Sequence, residues 1–369
     1  MAIKAAVVGG AGNWGQHYLN AYVEHPQCSL IGFVDPAAQR RDELAGYYGI
    51  DGGFCYEQLE QLLNDAVPDM VSISVPTANN TAIVIACIEA GVRVVSCEKP
   101  AAITLAEMDR IIAACQGTGA IVGVGSLIAN HVLGQTGAWI AAGHIGAIRA
   151  VSIGGGVGAH VSGDGAQRLC PLPILTGLEL AWAEGWELED PYSGRVPEAS
   201  AAEADGPVRG RLGLTQNVEV EIPATEPGKG GQIVVEGEQG RVAWGPQMVQ
   251  LLKGEEHQDV TSQIIQRPAP QLRYSFMPLV DCLVNAYQEG VRPRPNPEDM
   301  RFALEAAIGL KQSHHRGHAK VDLPLNDRSA KIWPHPYRAF GGDVAGFSSL
   351  YPKYQAPSLE NHKMNEYIK

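Results

Sequence analysis

The sequence predicts two domains: a parallel-sheet α/β unit followed by an α+β domain with an open, mainly antiparallel sheet. Three observations carry this. From residue 3 to about residue 125, short apolar runs alternate with helix-period segments, the pattern of strands joined by crossover helices. After residue 206 the period becomes two, with Glu219 and Glu221 alternating with Val218, Val220 and Ile222. The 369 residues, 45% hydrophobic and 18% charged, are enough for more than one folded core. The expected divisions are 1–125, 126–325 and 326–369.

In the first unit, strands are expected at 4–8, 29–34, 70–75, 93–97 and 120–124, with helices at 14–25, 37–48, 56–64, 80–90 and 105–116. The second unit begins with a helix at 132–142, a strand at 148–153 and a glycine-rich irregular stretch at 154–165. A helix at 174–184 is expected after Pro173, and the 206–252 segment reads as strands, one at 232–235 before a turn at Gly237 and Gly240. Helices at 276–289 and 298–314 and a strand at 321–324 follow. Beyond residue 326, prolines (Pro334, Pro336, Pro352, Pro357) mix with Trp333, Tyr337, Phe340, Phe347, Tyr351 and Tyr354. That mixture predicts an arm packed on its own body or on a neighbouring subunit.

Composition excludes several classes of partner. The net charge of -12 opposes nucleic acid and anionic membranes. No stretch approaches the roughly 20 apolar residues of a membrane span, and Met1 runs straight into a strand, so a cytoplasmic protein is expected. The seven cysteines stand singly, without a Cys-x-x-Cys pair, and read as free thiols.

The first strand runs directly into Gly10-Ala11-Gly12-Asn13-Trp14-Gly15, a G-x-G-x-x-G sequence that opens a helix. Gly10 is expected to allow the tight turn, Gly12 to admit a pyrophosphate and Gly15 to let helix and strand approach, while the helix N-terminus supplies N–H donors. The second strand ends in Asp35, placed to accept hydrogen bonds from ribose hydroxyls and to repel a 2′-phosphate. This favours NAD over NADP, although Arg40 and Arg41 lie close by. The first domain is therefore expected to be a Rossmann domain, with Asn13, Trp14 and Arg40 also near the cofactor.

Together with Val75-Pro76 at a strand end and Glu98-Lys99-Pro100 after Glu89-Ala90-Gly91, these motifs resemble the glucose-fructose oxidoreductase, inositol dehydrogenase and MocA family. The likeness spans the nucleotide domain and continues loosely through Ala142-Gly143-His144-Ile145-Gly146 and from Glu298-Asp299 to Ser313. It implies a large open sheet used for homodimer or homotetramer assembly, a cleft site between domains, and oxidation or reduction of a sugar, polyol or related compound. It also implies cofactor contacts from Val75, Pro76, Asn80, Glu98 and Lys99, with Lys99 reaching the nicotinamide or a substrate hydroxyl.

The sequence departs from the family in two places. Asn79-Asn80 stand where a histidine is common, and the usual Asp-x-x-x-His pair has no clear counterpart around Cys170-Pro171-Leu172-Pro173. His160, with Asp164 in the same loop, is the expected substitute base, since histidine suits proton transfer near neutral pH. Either residue could instead serve a local turn. His131 is read as a helix-start residue after Asn130. His314, His315 and His318 lie at a helix C-terminus near Gly317, with no carboxylate or cysteine nearby in sequence, and no metal site is expected.

The leading expectation is an NAD-dependent dehydrogenase or reductase acting on a polyhydroxylated compound. The alternatives are an enzyme that uses tightly bound NAD for oxidation-assisted elimination, and a sensor that has kept the fold without turnover.

Overall fold

The computed structural model describes residues 2–189, 199–225, 232–245, 248–253, 256–264, 276–335 and Arg338. The first sheet comprises β1 (Ile3–Val8), β2 (Cys28–Val34), β3 (Cys55–Tyr56), β4 (Met70–Ile73), β5 (Val94–Cys97) and β6 (Ile121–Val124). Its order is β3-β2-β1-β4-β5-β6, and every pairing is parallel. Strands β4 and β5 are buried on both faces, which explains their continuous apolar character. Helices α1 (Asn13–Glu24), α2 (Ala38–Tyr48), α3 (Leu59–Asp65), α4 (Thr77–Glu89) and α5 (Leu105–Thr118) connect them. Helix α5 starts at a capping box, with Thr104 and Glu107 each accepting the other's backbone N–H, and ends at left-handed Gly119.

The second sheet has nine strands: β7 (Ile148–Ile153), β8 (Leu180–Glu187), β9 (Val208–Leu214), β10 (Val218–Ile222), β11 (Ile233–Gly237), β12 (Gly240–Trp244), β13 (Val249–Lys253), β14 (Glu256–Asp259) and β15 (Val321–Asp322). Their order is β14-β13-β12-β11-β7-β10-β9-β8-β15. Only β7 with β10 is parallel. The sheet is thus large, open and mainly antiparallel, as expected.

Helices α6 (His131–Ala141), α7 (Ala166–Leu169), α8 (Pro171–Thr176), α9 (Thr261–Ile264), α10 (Met277–Glu289) and α11 (Pro297–His315) complete the described α-helices. The expected helix at 174–184 is overturned. Gly177, left-handed at φ 69°, stops α8, and the following residues form strand β8. Leu, Ala, Trp and Glu tolerate a helix, but pairing with both β9 and β15 overrides local preference. The start of the expected 56–64 helix is likewise a short strand, β3, beside β2.

Two late helices carry the chain back over earlier elements. Residues of α10 share a core with β1 and α1, and Phe276 before it packs edge-on against Tyr18. Helix α11 lies against β8 at backbone distance: a Cβ on Gly185 would stand 2.3 Å from the Leu310 carbonyl oxygen. The described start of the arm runs beside α5 and α11: Arg328 donates to Asp109 of α5 and Glu305 of α11, and Lys331 bridges to Thr104 before α5. Tyr337, Phe340, Phe347, Tyr351 and Tyr354 lie outside the described residues. No described helix is long and apolar enough to cross a membrane.

Candidate active site

The glycine loop takes the strand-to-helix position that the spacing requires, with the glycines' work divided differently from expectation. The left-handed turn falls on Gly9 (φ 80°), where a Cβ would stand 2.2 Å from the Ser74 carbonyl oxygen. Gly10 is needed for a different reason: a Cβ there would sit 2.4 Å from the Phe33 ring. Gly15 sets the helix-to-strand approach, since its Cβ would lie 2.1 Å from the Gly9 carbonyl oxygen. At Gly12 the nearest atom to a Cβ is 3.4 Å away, and this N-cap has no side-chain capping bond, so space and N–H donors lie together at the start of α1.

Asp35, 3% exposed at the end of β2, accepts from Ala11 N–H at 2.9 Å and from Ala37 N–H at 3.0 Å. It therefore ties the glycine loop to the second strand. Arg41 hydrogen-bonds here, donating to the Asp35 carbonyl at 2.6 Å. The Trp14 ring stacks on Phe276 at 5.6 Å, with its backbone at the helix start. The Asn13 side chain lies outside the described residues.

Across the switch point between β1 and β4, Pro76 caps α4, and Val75 crowds Gly9. Asn80 is 1% exposed and donates to the Glu98 and Pro100 carbonyls, holding the strand-end segment in place. Its Oδ1 is buried and has no hydrogen-bond partner among the described residues.

Lys99, with a side chain 10% exposed, reaches into the second domain and donates to the Gly163 carbonyl at 3.3 Å and to Asp164 Oδ1 at 3.4 Å. His160 Nδ1 is 3.8 Å from Asp164 Oδ2, and its ring lies against His335, centroids 4.3 Å apart. The fold thus brings Lys99, His160 and Asp164 into one cluster. The loop is held from below by buried Asp205, which accepts from Ser162 N–H, the Ser162 hydroxyl and Gly163 N–H.

Sequence reasoning missed Arg338 and His335, which enter from the arm. Arg338 donates to Asp164 Oδ1 at 2.8 Å and to the Lys99 carbonyl at 3.4 Å, and its own carbonyl accepts from Thr77. A single arginine between prolines and aromatics carries no local signal for this. Arg168, four residues after Asp164, also acts on it electrostatically.

The charges bias one another. Burial lowers the Lys99 pKa and Arg338 lowers it further, against opposition from Asp164 and Glu98. Burial raises Asp164, but Lys99, Arg338 and His160 outweigh it and hold the carboxyl below its usual range. Burial pushes Glu98 up, only partly offset by Lys99 and Arg338. Removing the Arg338 charge therefore raises all three pKa values. Arg338→Gln is expected to move the limbs of the kcat/KM pH profile upward, whereas Arg338→Lys retains their position. A lower rate with unmoved limbs would mark Arg338 as a structural tie only.

The six-stranded parallel sheet and its glycine loop have the architecture of a dinucleotide-binding domain. Residues 3–126 match the family model described as the oxidoreductase family (GFO_IDH_MocA), NAD-binding Rossmann fold. The uncharacterized oxidoreductase YfiI of Bacillus subtilis (strain 168) is 33% identical over 162 residues, which are 41% of this chain and 41% of that protein. The chain thus matches about two-fifths of that relative's length.

Among solved structures, an inositol dehydrogenase homolog from Azotobacter vinelandii, complexed with NADH and myo-inositol, is similar at TM-score 0.68 and 22% identity, covering 87% of this chain and 98% of that one. The aldose-aldose oxidoreductase from Caulobacter crescentus, complexed with glycerol, gives TM-score 0.68 at 19% identity, covering 88% and 100%. The WlbA dehydrogenase from Bordetella pertussis, in complex with NADH and UDP-GlcNAcA, gives 0.68 at 17%, covering 88% and 99%. At these identities the likeness is one of fold.

Proposed function

We propose that this protein is an NAD-dependent dehydrogenase or reductase acting on a CH–OH group of a sugar, cyclitol or related polyhydroxylated compound. The observation that carries the reading is the meeting of Lys99 with Asp164 and His160 at the carboxyl end of the parallel sheet, where open α/β folds bind ligands. The relatives solved with NADH, myo-inositol or glycerol support the substrate class by analogy.

Bound NAD would supply the hydride acceptor. Gly12, the start of α1 and Asp35 would hold it; the uncapped helix start and the space above Gly12 suit a pyrophosphate. Lys99 would donate a hydrogen bond to the substrate oxygen and stabilise it as negative charge develops. His160, oriented by the Asp164 carboxylate, would take the hydroxyl proton. Arg338 would act as a positioning residue that fixes Asp164. The face of the second sheet around Trp186, Arg209, Arg211, Glu219 and Glu221 is concave and is the surface through which copies would pair.

Calorimetric titration with NAD and NADP, after any copurified cofactor is identified, tests the reading. NAD is expected to bind at least about tenfold more tightly, because Asp35 repels a 2′-phosphate. A polyol and sugar screen for net NADH release then separates a dehydrogenase from an enzyme that recycles bound NAD. Binding of neither nucleotide by cofactor-free protein would overturn the proposal.

A further inference from the structure

Away from the cleft, the last turn of α11 meets the end of β8. His315 Nε2 lies 3.3 Å from Glu187 Oε2 and His314 Nε2 lies 4.0 Å from the same oxygen. The three ligand atoms all fall within 4.8 Å of one another. Ligands around a tetrahedral zinc ion, with bonds near 2.0–2.1 Å, stand roughly 3.3 Å apart, so small side-chain rotations bring this set to a common centre.

The frame beneath it is rigid. Gly185 lets the α11 backbone rest on β8, the Ser313 hydroxyl accepts from Gly185 N–H at 3.0 Å, and His318 Nδ1 is bonded to the Gly185 carbonyl at 2.9 Å. The His318 ring also stacks on Trp186. The two imidazoles are about one-third exposed, so a cation could enter from solvent and keep water in the open position.

Lys311 is the competing charge. Its ammonium is fully buried and lies 2.6 Å from Glu187 Oε1. That contact occupies the other carboxylate oxygen and leaves Oε2 facing the histidines. Buried Asp205 is within electrostatic reach of Lys311, so its charge does not depend on Glu187 alone.

We propose that Glu187, His314 and His315 form a site for one divalent transition-metal cation with a preference for nitrogen and oxygen ligands, for which Zn2+ is the probe. With three ligands and a neighbouring ammonium, its affinity is expected to be that of an exchangeable site. The site is independent of the proposed reaction.

The test is calorimetric titration of untagged, chelator-treated full-length protein with zinc chloride. One equivalent is expected to bind. His315→Gln and His314→Gln are each expected to weaken binding beyond the roughly 10–100-fold that loss of an outer-shell partner costs, while His144→Gln leaves it unchanged. Uptake of no zinc, or wild-type binding by both variants, overturns the proposal. Should the variants misfold, imidazole NMR of the unmodified protein decides: zinc is expected to shift two of the eleven histidines, and shifts at other histidines instead overturn the site.

Discussion

Lys99→Met is expected to lower kcat/KM by about 10²–10⁴-fold, the range that a positioned proton-transfer or charge-stabilising group supplies. The Kd for NAD should stay within about threefold, because the glycine loop and Asp35 hold the cofactor elsewhere. Methionine keeps the buried stem and removes only the ammonium that bonds Gly163 and Asp164. Asp164 retains Arg338 as a partner, so the loop should not collapse.

The same substitution is expected to stabilise the fold near neutral pH. The Lys99 pKa is lowered in the folded state, so the folded protein binds fewer protons than the unfolded chain between the two pKa values, and stability rises with pH across that window. Below the window the buried charge costs its full amount, and methionine removes that cost. Initial rates, NAD titration and thermal melts at pH 7 and 10 check this. Turnover that survives Lys99→Met would remove the lysine from the proposed chemistry.

Gly15→Ala is expected to weaken NAD binding by about 10–100-fold and to lower stability by about 1–3 kcal/mol. The added Cβ would meet the Gly9 carbonyl oxygen at 2.1 Å and the Gly10 Cα at 2.7 Å. Both are backbone atoms of the loop itself, so relief requires moving the helix away from the strand. Gly46→Ala in α2 is the control: nothing lies within 4 Å of its Cβ, and it should gain roughly 0.5–1 kcal/mol. Urea melts and calorimetry read both variants. Equal NAD affinity in Gly15→Ala and wild type would mean that the loop geometry does not set cofactor binding.

The fold class was legible because its signals are local. Each β-α repeat shows as an apolar run followed by a helix-period segment, and Gly10, Gly12 and Gly15 fall within one turn and the helix it opens. The two-residue β3 was too short to carry a period. Strand β8 was misread because Leu180 to Glu184 suit a helix, and only the hydrogen bonds offered by β9 and β15 decide against it.

The site divides along the same line. Gly10, Gly12, Gly15, Asp35 and Lys99 were marked by their distance from a strand end, which a chain segment of a few residues sets for itself. The neighbours of those residues were not so marked. Arg338 meets Asp164 across 174 residues, and Gly185 meets Ser313 across 128, beside Glu187 and His315. Such pairs exist because helices and arms settle where apolar faces can be buried, and whichever polar groups then face each other are set by packing. A short stretch of chain therefore announces a strand, a turn or a loop that fits a pyrophosphate, while the charges that tune Lys99 and the carboxylate that joins the histidines come from the folded whole.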